Sequence, residues 1–190
     1  MSPVLESPEI RESLVPISVE FYHEMDRPGM LPEAVELLDG FVVKKLSRSP
    51  LHASTVRFCL HALQACLKPG LFLIKEDPIS ISAVNSEPEP DLAVIQGDEE
   101  DFRNRHPNTA LLVIEVAVNT LQRDLNKAAI YAAAGIAEYW LIEPEARRDS
   151  LYEKPSSKGY KDVITYGGET TARSKVIPGF ELNLPEFFDS

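Results

Sequence analysis

Branched aliphatic residues gather in short runs along the chain, and one of them, LLVIEVAV at 111–118, has a single carboxylate set into it. Short alternating or massed apolar runs signal strands, whereas recurrence at every third or fourth position signals helices. On that basis SVEFYHEMDR forms a short helix with Ser18 as N-cap, closed by Pro28 and Gly29. VELLDGFVVKKL, 35–46, alternates around Asp39-Gly40, a pair favoured in tight turns, and predicts a β-hairpin. After Pro50, LHASTVRFCLHALQACL carries Leu51, Val56, Leu60, Leu63 and Leu67 on one side of a helix that Pro69-Gly70 ends. LFLIKE, PISISAV and DLAVI read as strands, the last beginning at Asp91, and LLVIEVAV reads as a sheet-centre strand. NTLQRDLNKAAIYAAAG predicts a helix capped near Asn119 or Thr120 and stopped by Gly135. IAEYWLIEP is a further strand, and DSLYEK, KDVITY and FELNL are expected as antiparallel strands. The first 15 residues, polar and proline-bearing, are expected as a loosely held tail, with 16–190 forming a single domain. This order of elements belongs to the α/β class, a mixed sheet flanked by helices.

Composition narrows what such a fold can do. A chain of 190 residues with 44% apolar content can build a substantial core. It has no run near the ~20 apolar residues of a membrane helix, and its N-terminus has acids and prolines where a signal peptide needs bases, so a soluble, cytoplasmic protein is expected. Cys59 and Cys66 stand seven apart in a predicted helix, about 10 Å along its axis, too far for a disulfide, and are expected to pack in the core. With no CxxC pair and four scattered histidines (His23, His52, His61 and His106), a structural zinc site is not expected. A formal charge of −11 opposes nonspecific binding to nucleic acid, so any DNA contact must run through a local basic patch or through metal ions. The same acidity suits carboxylates gathered around a divalent cation.

An unpaired carboxylate in a buried strand is costly, so Glu115 needs a partner. Side chains alternate along a strand, which puts Leu111, Val113, Glu115 and Ala117 on one face. If Asp91 begins a neighbouring strand, the two acids converge at a sheet edge and call for a hard cation such as Mg²⁺. The next helix adds Asp124 and Lys127 on one side, with Tyr131 further along it, and Lys127 there can hold a phosphate oxygen or orient a water. Each residue also has a plainer reading. Glu115 and Lys127 can form a structural ion pair, Asp91 after Pro90 can be a turn residue, Asp124 and Lys127 can be a solvated face, His52 can merely begin a helix, and His61 can merely pack.

The residues in combination carry more. Pro90-Asp91, the strand holding Glu115 and the helix bearing Asp124 and Lys127 resemble the PD-(D/E)XK nuclease superfamily, and more closely its Uma family of putative restriction endonuclease-like proteins. The likeness runs from Val35 onward through ELLDG, SPLH, EPDLAVI, LLVIEV, DLNKAAIYAAAGIAEYWLIEP and VIPGFEL, with YAAAGIAEYWLIEP its most specific stretch. The resemblance implies a restriction endonuclease-like core, a mixed sheet flanked by helices with added antiparallel strands. It implies a metal-dependent endonuclease acting on DNA, with Mg²⁺ or Mn²⁺ held by Asp91, Glu115 and the backbone carbonyl of Val116, and with Glu36 as a further acidic position. Ala117 stands where the motif carries lysine, and the resemblance implies that Lys127 replaces it from the following helix. His52, Asp124 and Tyr131 are expected as supporting residues. The Asp124-to-Lys127 spacing is one residue shorter than the family's usual pattern, a difference of about 100° around a helix.

Two other functions remain compatible with the sequence: a binding or regulatory protein that keeps the fold without turnover, and a structural protein in which Glu115 and Lys127 are simply an ion pair. Pairing of subunits into a homodimer is expected if both DNA strands are cut.

Overall fold

The computed structural model describes residues 7–27, 29–167 and 170–183. The first six residues of the expected tail and the helix stop at Pro28 lie outside these. Within the tail, Pro8–Glu12 forms a short helix, α1, opened by a proline whose fixed φ suits a first turn. Helix α2, Val19–Asp26, begins where the Ser18 hydroxyl accepts a bond from the Phe21 N–H. Its Val19 and Tyr22 pack on Val35 and Leu37 of the hairpin formed by β1 (Val35–Leu38) and β2 (Phe41–Lys44). Asp39 and Gly40 both have positive φ, 50° and 79°, as a two-residue turn of this hand requires.

Helix α3, Pro50–Cys66, starts with the Ser49 side chain accepting from the His52 N–H, and Pro50 occupies the first turn, where no N–H is needed. Six strands then form the main sheet in the spatial order β3 (Leu71–Ile74), β4 (Leu92–Gln96), β5 (Leu112–Val116), β6 (Glu138–Glu143), β7 (Arg148–Ser156) and β8 (Gly159–Gly167). Only β5 and β6 are parallel, and helix α4, Leu121–Ala133, makes the crossover between them. A small ladder of β9 (Ala172–Arg173) and β10 (Glu181–Leu182) closes the described chain.

PISISAV is not a strand of this sheet. Its apolar alternation is real, for Ile79 and Ile81 are buried, but the segment folds back on its own return. Ile79 and Ile81 donate to Pro88 and Ser86, and residues 82–84 turn as a 3₁₀ helix. Pro88 and Pro90 on the returning side have no N–H to continue a ladder.

Both faces of the sheet are covered, which explains why all five residues of β5 are buried. Leu112, Ile114 and Val116 face α3 with Val56, Cys59 and Leu63, whereas Val113 and Ala117 share the opposite core with Ile130 and Tyr131 of α4. Cys59 is a buried free thiol and Cys66 a half-buried one. His61, expected to pack, is exposed on α3. Among the described residues, no helix is long and apolar enough to cross a membrane.

Candidate active site

The antiparallel register of β4 on β5 pairs Leu92 with Ile114, so one step further sets Asp91 beside Glu115. The two are linked directly, the Asp91 N–H reaching Glu115 Oε2 at 3.4 Å. Asp91 Oδ2 accepts from the Val116 N–H at 2.8 Å and lies 3.1 Å from His52 Nε2 in the first turn of α3. Glu115 Oε1 accepts from Lys127 Nζ at 3.0 Å and from the Tyr131 hydroxyl at 2.7 Å. Lys127 also meets Glu36 Oε2 of β1 at 2.9 Å. Asp124 is buried one turn before Lys127, and its carbonyl accepts from the Tyr139 hydroxyl. The helix thus directs Lys127 at Glu115 despite the short spacing, and the residues singled out in the sequence come together here. All of them except Tyr131, which lies beneath, line an open cleft where the ends of β4 and β5 meet the first turns of α3 and α4.

Electrostatics at this point are dominated by crowded acids. Burial pushes the Glu115 carboxyl up to about 8; Lys127 opposes the rise, and Asp124, Asp91 and Glu36 add to it. Burial likewise raises Asp124 to about 6, opposed by the Thr120 hydroxyl and Lys127. For Lys127 burial would lower the value, but Glu115, Glu36 and Asp124 outweigh it and hold the ammonium in its charged form. Burial also keeps the Tyr131 phenol protonated, which makes it a dependable donor to Glu115. Four buried carboxyl groups (Glu36, Asp91, Glu115 and Asp124) therefore share the site with one buried ammonium, which is in direct contact with Glu36 and Glu115. An all-oxygen, carboxylate-rich set with surplus negative charge fits a hard divalent cation and fits a soft one poorly.

The model of the Uma2 family, described as "putative restriction endonuclease", matches residues 19–185. The chain belongs to the Uma2 family. A crystal structure of a "putative nuclease belonging to DUF820" from Anabaena variabilis superposes with a TM-score of 0.72 over 92% of this chain and 98% of that one, at 16% identity. At that identity the likeness establishes a shared fold. A comparison with curated proteins gives no match.

Other residues of this Uma2 chain entered the site unannounced. Arg123 approaches Glu36 at 3.9 Å and donates to the Lys44 carbonyl, while Lys45 pairs with Glu89 and Arg48 with Glu76 along the cleft mouth. Glu89 could have been suspected from its place two residues before Asp91 in EPEPD; the three cations have no local signal, because only the folded hairpin and the start of α3 bring them together. Two of the four histidines scattered along the sequence come together in the fold. His23 and His106, distant in sequence, meet Glu87, and one ligand atom from each lies within 4.8 Å of the others.

Proposed function

We propose that this chain is a divalent-metal-dependent endonuclease that hydrolyses phosphodiester bonds in DNA. The observation that supports it best is the convergence of Asp91, Glu115 and Lys127 at an open, carboxylate-rich cleft. Asp91, Glu115 and the Val116 carbonyl would hold Mg²⁺ or Mn²⁺. When bound, such an ion supplies Lewis acidity, which lowers the pKa of water and offsets charge on phosphate. His52 and the Val116 N–H orient the Asp91 carboxylate, and Tyr131 orients that of Glu115. Lys127, held in its charged form by the surrounding acids, hydrogen-bonds a phosphate oxygen or steers the attacking water. Glu36 keeps the lysine in place from the other side. Cutting both strands would take two such sites, and a homodimer is part of this reading.

A plasmid-cleavage assay with Mg²⁺ or Mn²⁺ tests it. Wild type should convert supercoiled plasmid, and Asp91→Ala, Glu115→Ala and Lys127→Ala should each lose the activity. Cleavage that persists in all three variants would overturn the site. Two contacts favour a purely structural reading, since Lys127 and Tyr131 already satisfy Glu115 Oε1 as a structural pair would. A binding protein without turnover would bind Mn²⁺, seen as a rise in melting temperature lost in Glu115→Ala, yet leave plasmid intact. A purely structural protein would show neither.

A further inference from the structure

Away from the acidic cleft, three segments meet at a point that the proposed chemistry does not use. His23 lies in α2, Glu87 in the return before β4, and His106 in the loop between β4 and β5. Glu87 is 4% exposed, and both of its carboxylate oxygens lie 2.8 Å from His23 Nε2. The Ser80 hydroxyl donates to one of them. The His106 ring centroid is 6.1 Å from that of His23, and ligand atoms of all three residues fall within 4.8 Å. The backbone beneath is fixed by bonds from Ile79 to Pro88, Ser80 to Pro107 and Glu87 to Leu37.

We infer that His23, Glu87 and His106 form a second metal site, separate from the cleft, for a borderline divalent transition ion such as Zn²⁺. Two imidazoles and a carboxylate are a donor set that such ions take at about 2.0–2.2 Å, with ligand atoms about 3.4 Å apart in a tetrahedron and the fourth place left to water. His23 and Glu87 stand 2.8 Å apart and all three ligand atoms lie within 4.8 Å of one another, so a small shift brings them to that value. His106 is exposed and His23 half-exposed, so both rings can make that shift, whereas Glu87 is the buried anchor. The Ser80 hydroxyl on the carboxylate is the kind of outer partner that fixes a metal ligand's orientation. The acidic cleft offers mostly oxygens and suits Mg²⁺, so the two sites sort ions by donor type. Arg27, Arg103 and Arg105 line the same hollow and oppose a cation, but Asp26 offsets part of this and Glu100 pairs with Arg103. The consequence is mechanical. Because the Glu87 N–H bonds to the Leu37 carbonyl, an ion here ties α2 and the 97–111 loop to the strand that carries Glu36.

The test is calorimetric titration of the chelator-stripped full chain with Zn²⁺ in excess Mg²⁺, comparing wild type, His23→Asn, His106→Asn and Glu115→Gln. Wild type and Glu115→Gln should bind Zn²⁺ alike, with a matching rise in melting temperature. Each histidine variant should bind it about 10- to 100-fold more weakly or worse, since losing even an outer partner of a metal costs that much. His106 is exposed, so its variant folds normally and a loss there reports the ligand rather than the fold. No Zn²⁺ binding by wild type, wild-type affinity in either histidine variant, or loss confined to Glu115→Gln would each overturn the site.

Discussion

Ala117 sits two residues beyond Glu115 on the same face of the sheet, 5% exposed and packed in the core that contains Tyr131. A methyl group there leaves the space above it to α4, and the cation arrives from Lys127 instead. Replacing Lys127 by Met leaves Glu36 and Glu115 facing each other without it, and should cost about 3–5 kcal/mol at alkaline pH, read by urea denaturation. The cost should shrink in acid. The Glu115 carboxyl has its folded value raised to about 8, so its contribution to stability is complete below about 4.5 and is lost as pH rises through about 8. Because a metal needs the carboxylate form, Mn²⁺ affinity measured by calorimetry should climb over the same rise. Asp149 on β7 gives an independent case. It is 2% exposed, its Oδ1 has no partner, and burial pushes it up to about 7. Its stabilising share likewise disappears as pH rises through about 7, so Asp149→Asn should gain on the order of 1–3 kcal/mol at pH ~8 and nothing at pH ~4. A pH-independent difference between the two proteins would show that Asp149 does not titrate in this way.

At the scale of elements, the hairpin of β1 and β2 brings Glu36 to the cleft, and its turn is locked by more than its own geometry. A Cβ on Gly40 would stand 2.2 Å from Pro16 Cβ, and Gly40 has φ +79° besides. Gly40→Ala should therefore cost about 1–3 kcal/mol in thermal denaturation through overpacking and a strained φ, and should weaken metal binding if Glu36 moves with the hairpin. The turn itself was legible, because Asp-Gly between alternating apolar residues has few other uses. So was the meeting of Asp91, Glu115 and Lys127 in space: Glu115 interrupts a run that otherwise admits no charge, and the helix that follows such a strand must cross back over it. PISISAV was misread because alternation shows only which residues are buried, and hydrogen-bond partners depend on the prolines opposite. His23, Glu87 and His106 were invisible for a deeper reason. They come from a helix, a return and a loop with no shared periodicity, and only the closed fold makes them neighbours.

Across the whole molecule the charge is −11, yet the cleft mouth carries Lys45, Arg48 and Arg123. Lys45 and Arg48 already pair with Glu89 and Glu76, and Arg123 leans on Glu36, so DNA phosphate would have to displace carboxylates rather than meet free cations. Few counterions should then be released on binding, and a bound divalent ion should supply much of the attraction. If the proposed function holds, affinity for a phosphorothioate-substituted duplex, which resists hydrolysis, should depend strongly on Mn²⁺ and weakly on monovalent salt. Each phosphate contact contributes about −0.9 to the slope of log affinity against log salt, so a mouth of three cations predicts a slope no steeper than about −3. Arg48→Ala should flatten that slope by about one contact's worth while leaving Mn²⁺ binding intact, since Arg48 touches neither Asp91 nor Glu115. Fluorescence anisotropy against salt, with and without Mn²⁺, measures both quantities. A steep slope that persists without Mn²⁺ and is indifferent to Arg48 would locate the DNA on another surface, such as the arginine-lined hollow beside His106.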